Sequence, residues 1–428
     1  MQPAPLIVQA CTHTAACTFH WRAVDRADIS NQRTARMPGP GNRPDADRHL
    51  TGGAETPMKV TDLTLDIVER EVPSVRIQDH RGAIGGKLRN AILRIRTEDG
   101  LEGHCTVGDR AGNSDPLFER IVRDLKPRVV GMEVGEREKL WSDLERIGGH
   151  GAPVHAAWSC VDVALWDLAG KAAGEPVHRL LGTARYDTPV YATYPPRHAS
   201  PEGFVEEAQE LKSQGFSAYK IHPGAMGTRD AVRMVGTVRE AVGDQMELML
   251  DPNNGYGFRK AFEIGRALDD NGFFWFEDPV LWNDFDSIRE LSARLRTPLN
   301  LSDTAAFLFR EAAHYVRLGY PRLVRGTTRK LGITGLKKLC GLLEGFGMNC
   351  EIGLAGNSLL NAANLHVIMS VTNCDYYEYW MPLAAHQWGV FDDIELNERG
   401  TIDAPMKPGL GFDLDEDWIA AHKVTTLS

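Results

Sequence analysis

No stretch of this 428-residue chain approaches the roughly 18 uninterrupted apolar residues that a membrane span needs. Basic blocks are also missing: 48 Lys and Arg stand against 58 Asp and Glu, for a net charge of −10. An acidic chain without a basic block is a poor nucleic-acid binder. The seven cysteines (11, 17, 105, 160, 340, 350 and 374) are odd in number, scattered and free of CxxC spacing. That argues against a disulfide scaffold or a zinc knuckle and for reduced thiols in the cytoplasm. The first residues carry no twin-arginine pair, and the apolar run 5–10 is too short for a signal-peptide core. The expectation is a cytoplasmic protein with neither a nucleic-acid nor a membrane partner. What is present is ordinary: 43% hydrophobic and 25% charged residues describe a soluble globular chain. The length allows two or three domains, or one large barrel with a smaller partner.

Residues 1–57 stand apart from the rest. They hold Pro3, Pro5, Pro38, Pro40, Pro44 and six arginines, without sustained periodicity. They read as a disordered or non-native extension and are left out of the fold. From Met58 a strand pattern opens, Lys59 to Val68, and alternation continues to about 105. Glu98-Asp-Gly100 supplies a hairpin turn. Helical periodicity then covers 116–125, 136–147 and 154–173. Asp115 before Pro116 reads as a capping acid, and Gly174-Glu-Pro176 ends the last of these helices. Residues 58–185 are therefore read as an α+β unit.

After Asp187 short β-rich runs alternate with helix-length segments. The strand candidates are 190–193, 218–222, 247–251, 273–277, 299–303, 322–325, 349–352 and 375–379. Eight strands alternating with helices mean parallel βα units, and nearly continuous apolar strands such as Met246–Leu250 suit a covered sheet. A compact (β/α)8 barrel over about 186–389 follows. A doubly wound sheet would want a glycine-rich first loop, but Tyr-Pro-Pro-Arg follows the first strand.

Asp251, Glu277 and Asp303 each close a strand candidate, and each interval is 26 residues, one βα unit. Strand ends open on the active-site face of a barrel. Any one acid at such a turn is explained by capping the next helix. Three in register would repel or take up protons unless a cation joined them. All-oxygen ligation favours Mg²⁺, with Mn²⁺ as the alternative. One strand earlier, Lys220 and His222 are two apart and share a face. Asn253 follows Asp251 by two and faces the same way, toward substrate or a metal-bound water.

These residues together resemble the enolase superfamily, in its mandelate racemase and muconate lactonizing branch. The resemblance rests on the three-acid series, Glu-Asp-Pro at 277–279 and Lys-x-His at 220–222. It also rests on Ala157–Lys171, Pro176–Gly182 and Leu331-Gly-Ile-Thr334, and it runs from about Met58 nearly to the end. It implies a modified TIM barrel, (β/α)7β, under an α+β capping domain that includes the tail at about 390–428. It implies Mg²⁺ on Asp251, Glu277 and Asp303, and removal of a proton α to a carboxylate to give an enediolate. Lys220 would serve the substrate carboxylate, and His222 stands where the family has its proton-transferring lysine. Glu378 resembles a glutamate that donates a hydrogen bond to the substrate, which requires a raised pKa. Arg325 is read either as an anchor for a second anionic group or as part of a barrel-interior ion pair. A basic loop with Arg76, His80 and Lys87 would close over an anionic substrate as a lid. A symmetric homo-oligomer is also implied.

The departures narrow the chemistry. The sixth-strand acid of a racemase site falls on Gly326, and the seventh strand, Asn349-Cys-Glu-Ile-Gly-Leu-Ala-Gly, has no histidine. Chemistry from one face fits best: dehydration of a hydroxy acid, such as an acid sugar. An isomerase and a non-catalytic metal- and ligand-binding protein are the alternatives.

Overall fold

Alternation in the first strands makes one sheet face apolar and the other charged. The structure, a computed structural model, describes residues 58–78, 83–108, 113–148, 155–301, 303 and 309–428. The reading of residues 1–57 lies outside these. Strands β1 (Val60–Arg76), β2 (Ala83–Thr97) and β3 (Glu102–Val107) form an antiparallel meander, and the C-terminal β13 (Lys423–Leu427) adds to β1. Leu63, Leu65, Ile67, Leu93 and Ile95 are fully buried. The helix His155–Ala173 covers the sheet so closely that a Cβ on Gly103 would lie 2.7 Å from Leu168 Cβ. On the opposite face Arg94 bonds Asp66 at 2.9 Å and Glu416 at 2.7 Å, tying the tail to the meander. Asp115 is not the cap of its helix. Ser114 holds the N-cap position, and Asp115 instead pairs with Arg89 at 2.6 Å.

The second layer is a curled parallel sheet. Its strands are β4 (Asp187–Thr193), β5 (Ala218–Ile221), β6 (Glu247–Leu250), β7 (Trp275–Glu277), β8 (Leu299–Leu301), β9 (Leu323–Gly326), β10 (Asn349–Ile352) and β11 (Tyr377–Trp380). They run in the order β10-β9-β8-β7-β6-β5-β4-β11. At the seam between β10 and β11, Cys350 N donates to Asn373 O at 2.7 Å. A short β12 (Thr401–Asp403) pairs antiparallel with β4. Each sequence-read strand overlaps an observed one. No helix of the described residues is long and apolar enough to cross a membrane.

Side chains two apart on a strand share a face, and that stacks the barrel interior in two layers. Tyr191, Ala218, Met249, Trp275 and Leu323 form a buried apolar layer. One step toward the strand ends stand Thr193, Lys220, Asp251, Glu277 and Arg325, all buried. An apolar floor therefore carries a charged one, at the ends where the loops begin.

The meander reaches that end. At the tip of the β1–β2 hairpin, Gln78 N donates to Pro196 O at 2.5 Å and Ala225 N donates to Gln78 O at 2.7 Å. Pro196 follows β4 and Ala225 follows β5. The helix Thr328–Gly345 is joined to the helix His155–Ala173 by buried Asp162, which accepts from Thr334 N at 2.9 Å and Thr334 Oγ1 at 2.6 Å.

Candidate active site

Lys220 is the hub of the charged layer. Its Nζ lies 2.8 Å from Glu378 Oε1, 3.2 Å from both oxygens of Glu277 and 3.6 Å from Asp251 Oδ2. It is 1% exposed. An ammonium so desolvated persists only among acids. Burial and Arg325 pull its proton affinity down, but Glu277, Glu378 and Tyr191 outweigh them and hold it well above the usual lysine range.

His222 lies just past β5. Its Nδ1 faces Tyr194 O at 2.8 Å and Thr193 Oγ1 at 3.0 Å. The Thr193 hydroxyl donates to Lys220 O at 3.0 Å, so it presents a lone pair to the imidazole. With two acceptors in front of it, Nδ1 carries the proton. Nε2 is then the proton-exchanging atom, and it faces Asp251 Oδ2 at 3.1 Å. The loop supplying the Tyr194 carbonyl is pinned in turn. Buried Glu207 accepts from Arg197 Nε at 2.5 Å, binds His198 Nε2 at 2.9 Å and accepts from the Tyr219 hydroxyl.

The acids differ in their charge balance. Burial drives the Glu277 carboxyl well above the usual carboxylate range, and Asp251 and Asp303 add to that against the pull of Arg325 and Lys220. Burial also raises Asp251, but His222 and Lys220 bring it down to about 2. Asp303 is lowered: Lys330 and Arg325 overcome its burial. The Lys330 ammonium donates to the Asp303 carbonyl. Three oxygen-donor acids at consecutive strand ends, with surplus negative charge showing at Glu277, fit a hard divalent cation by donor chemistry. Among the described residues, no three acid, histidine or cysteine side chains yet gather closely enough to hold an ion. Lys220 and Arg325 stand among them.

Other expected roles are altered. Glu378 is not a raised-pKa donor. Burial pushes it up, but Lys220 and Arg325 hold it well below the usual range, and Leu354 N donates to it at 2.5 Å. Its two oxygens are taken up as acceptors from Lys220, Arg325 and Leu354 N. Arg325 takes the barrel-interior ion-pair position: it is 3% exposed and bonds Glu378 at 2.6 Å and the Tyr191 hydroxyl at 2.8 Å. Asn253 turns back on Asp251, donating from N at 2.7 Å and from Nδ2 at 2.9 Å, with φ at +48°. The basic loop is shorter than expected. Arg76 ends β1, exposed, and Lys87 sits within β2, paired with Glu69 at 2.6 Å. Gly85 is held against the neighbouring strand: a Cβ there would lie 2.5 Å from Pro73 O, at a strand irregularity. His80 lies outside the described residues.

Gly326 does not look into the barrel. A Cβ there would lie 2.6 Å from Leu336 and 3.1 Å from Leu339 on the covering helix. The inward residues of that strand are Leu323 and, next to Gly326, Arg325. Sequence reasoning missed Tyr191, two residues before Thr193 on an inward face, which the alternation of β4 could have found. It also missed His386, beyond the last barrel strand, for which no periodic signal exists. His386 is buried, its Nδ1 faces Gly356 O at 2.8 Å, and it packs on Trp380 with ring centroids 5.9 Å apart. His222 packs on the same indole at 5.3 Å.

Comparison with known proteins places this geometry in context. Residues 203–418 match the family described as enolase C-terminal domain-like. Residues 65–182 match the mandelate racemase/muconate lactonizing enzyme N-terminal domain. An arabinonate dehydratase of Saccharolobus solfataricus is 26% identical over 372 residues, which is 81% of this chain and 95% of that one. An N-succinyl-L-Arg/Lys racemase of Bacillus cereus is 27% identical over 344 residues, 77% of this chain and 89% of its own. The crystal structure of D-glucarate dehydratase from Agrobacterium tumefaciens complexed with magnesium superposes with a TM-score of 0.74 at 29% identity. It covers 86% of this chain and 100% of that one.

Proposed function

The chain belongs to the mandelate racemase/muconate lactonizing branch of the enolase superfamily, and from that premise we propose a hydro-lyase reaction. The enzyme removes the proton α to a carboxylate and expels a β-hydroxyl as water, turning an acid sugar or other hydroxy acid into a 2-keto acid. Asp251, Glu277 and Asp303 would hold Mg²⁺, or Mn²⁺ in its place. When bound, the ion supplies Lewis-acid stabilisation of charge on the substrate carboxylate.

The chain's own residues divide the remaining work. Lys220 donates to the substrate carboxylate as negative charge builds there. His222, with Nδ1 committed to the Tyr194 carbonyl, leaves Asp251 as the neutral imidazole, any Nε2 proton shared with that acid passing to solvent, and takes the α-proton on Nε2. The C–H electron pair is first delocalised onto the substrate carboxylate as the enediolate, and it returns to form the carbon–carbon double bond as the β C–O bond breaks. The departing hydroxide receives the proton from Nε2 and leaves as water, and the enol tautomerises to the ketone. One imidazole thus serves as base and then as acid.

The observation that carries this reading is the seventh strand end. Gly353 there leaves its side-chain space to the Arg325 guanidinium, so no imidazole from that strand opposes His222. A second reading, racemase, epimerase or cycloisomerase, draws support from His386, a second imidazole on the Trp380 ring. The test is incubation with Mg²⁺ and a broad acid-sugar library in D2O. A 2-keto acid is expected. Solvent deuterium at the α-carbon without keto acid supports the isomerase. Neither product, with the ion bound, refutes both and leaves a ligand-binding protein.

A further inference from the structure

A glycine at the end of β10 and an arginine inside β9 form a matched pair. A Cβ on Gly353 would lie 2.6 Å from Arg325 Nη2, 2.9 Å from Cζ and 3.2 Å from Nε. A side chain at 353 would push the guanidinium away from this position. That place is among the acids assigned to the ion. Nε lies 3.1 Å from Glu277 Oε1 and 3.9 Å from Asp303 Oδ1, while Nη2 bonds Glu378 and Nη1 bonds Tyr191.

A guanidinium cannot shed its proton to make way for another cation. Its planar fork is also fixed from several sides, because Glu378 is further held by Leu354 N and by Lys220. We infer that Arg325 is a resident cation that competes with the divalent ion for Glu277 and Asp303, and so sets the ion's affinity low. Gly353 is the device that admits it. The inference rests on the assignment of Asp251, Glu277 and Asp303 as the ion's ligands. It goes beyond that assignment in giving Arg325 a role against the ion, not toward the substrate.

The test is Mn²⁺ binding by full-length protein, read from the electron paramagnetic resonance of free Mn²⁺, with no substrate present. Arg325→Met keeps the bulk of the side chain and removes the charge. It should bind Mn²⁺ at least tenfold more tightly than the native protein. Gly353→Ala, which crowds the guanidinium off its seat without touching an acid, should bind at least threefold more tightly. Circular dichroism identifies which variants are folded, and one folded variant suffices. Equal or weaker Mn²⁺ binding by a folded variant overturns the inference alone. If native protein and variants all fail to bind Mn²⁺, the ligand assignment falls and the inference with it.

Discussion

Replacing Lys220 by methionine would leave the acids of the charged layer with Arg325 and, beside Asp303, Lys330. The ammonium touches Glu378 at 2.8 Å, Glu277 at 3.2 Å and Asp251 at 3.6 Å, and all four groups are at most 4% exposed. Methionine nearly conserves volume, so a cavity contributes little. The cost is electrostatic. Removing one partner of a buried pair costs about 3–5 kcal/mol, because the other charge is left uncompensated. Here three carboxylates lose a neighbour, so a value near the top of that range, about 5 kcal/mol, is expected. The double variant Lys220→Met/Glu378→Gln removes one charge of each sign. It should recover about 1–3 kcal/mol relative to the sum of the single variants. The pH dependence has a definite sign. The folded-state pKa of Lys220 is raised, so its contribution is fully present below its unfolded pKa of about 10.4. It is lost only as pH rises through the still higher folded value. The Lys220 ammonium itself therefore adds no pH dependence between about pH 6 and 9, and any slope in the Lys220→Met loss there reports proton uptake by the acids it leaves behind. Urea unfolding in EDTA measures all of this. A loss under about 1 kcal/mol, the size of an exposed pair, or strict additivity in the double variant, would refute the balanced layer.

Two further perturbations probe how the meander meets the barrel. Gly224 adopts φ +58°, and a Cβ there would strike the Gln78 carbonyl and lie 3.0 Å from Pro196 Cβ. Gly224→Ala should undock the hairpin tip and speed hydrogen exchange at the Gln78 and Ala225 amides at least about tenfold, as a lost local bond worth about 1.4 kcal/mol would. Unchanged exchange sinks the docking argument. Burial pushes the Asp162 carboxyl up to about 6 despite its bonds from Thr334. An acid raised on folding costs stability as pH climbs from its unfolded pKa toward its folded one. Asp162→Asn should therefore gain on the native protein by about 2–3 kcal/mol between about pH 4 and pH 7. Equal differences at the two pH values would refute it.

What was legible in the chain was whatever counting along it can reach. Alternation and βα spacing are local, so the eight strand candidates all meet observed strands, and the acids at 251, 277 and 303 fell at strand ends. The balance among those acids was not local. Glu378 reads as a donor when its strand is considered alone, yet Lys220 on β5 and Arg325 on β9 both pair with it. Gly326 shows the same limit more sharply. Residue arithmetic finds the right strand end but not the direction of the side chain, and one step of a strand reverses that direction. Counting put a vacancy at Gly326, while Arg325 beside it already pointed inward. Nor does counting pair Arg325 with Gly353, since neither residue alone signals the other. The pair exists because β9 and β10 are adjacent and parallel, with Ile352 opposite Gly326, which sets Gly353 one residue beyond the ladder, where a long side chain from β9 can reach. A missing side chain in a sequence is therefore not a missing group in a site. At the end of β10 the space is filled, by a cation that cannot shed its charge.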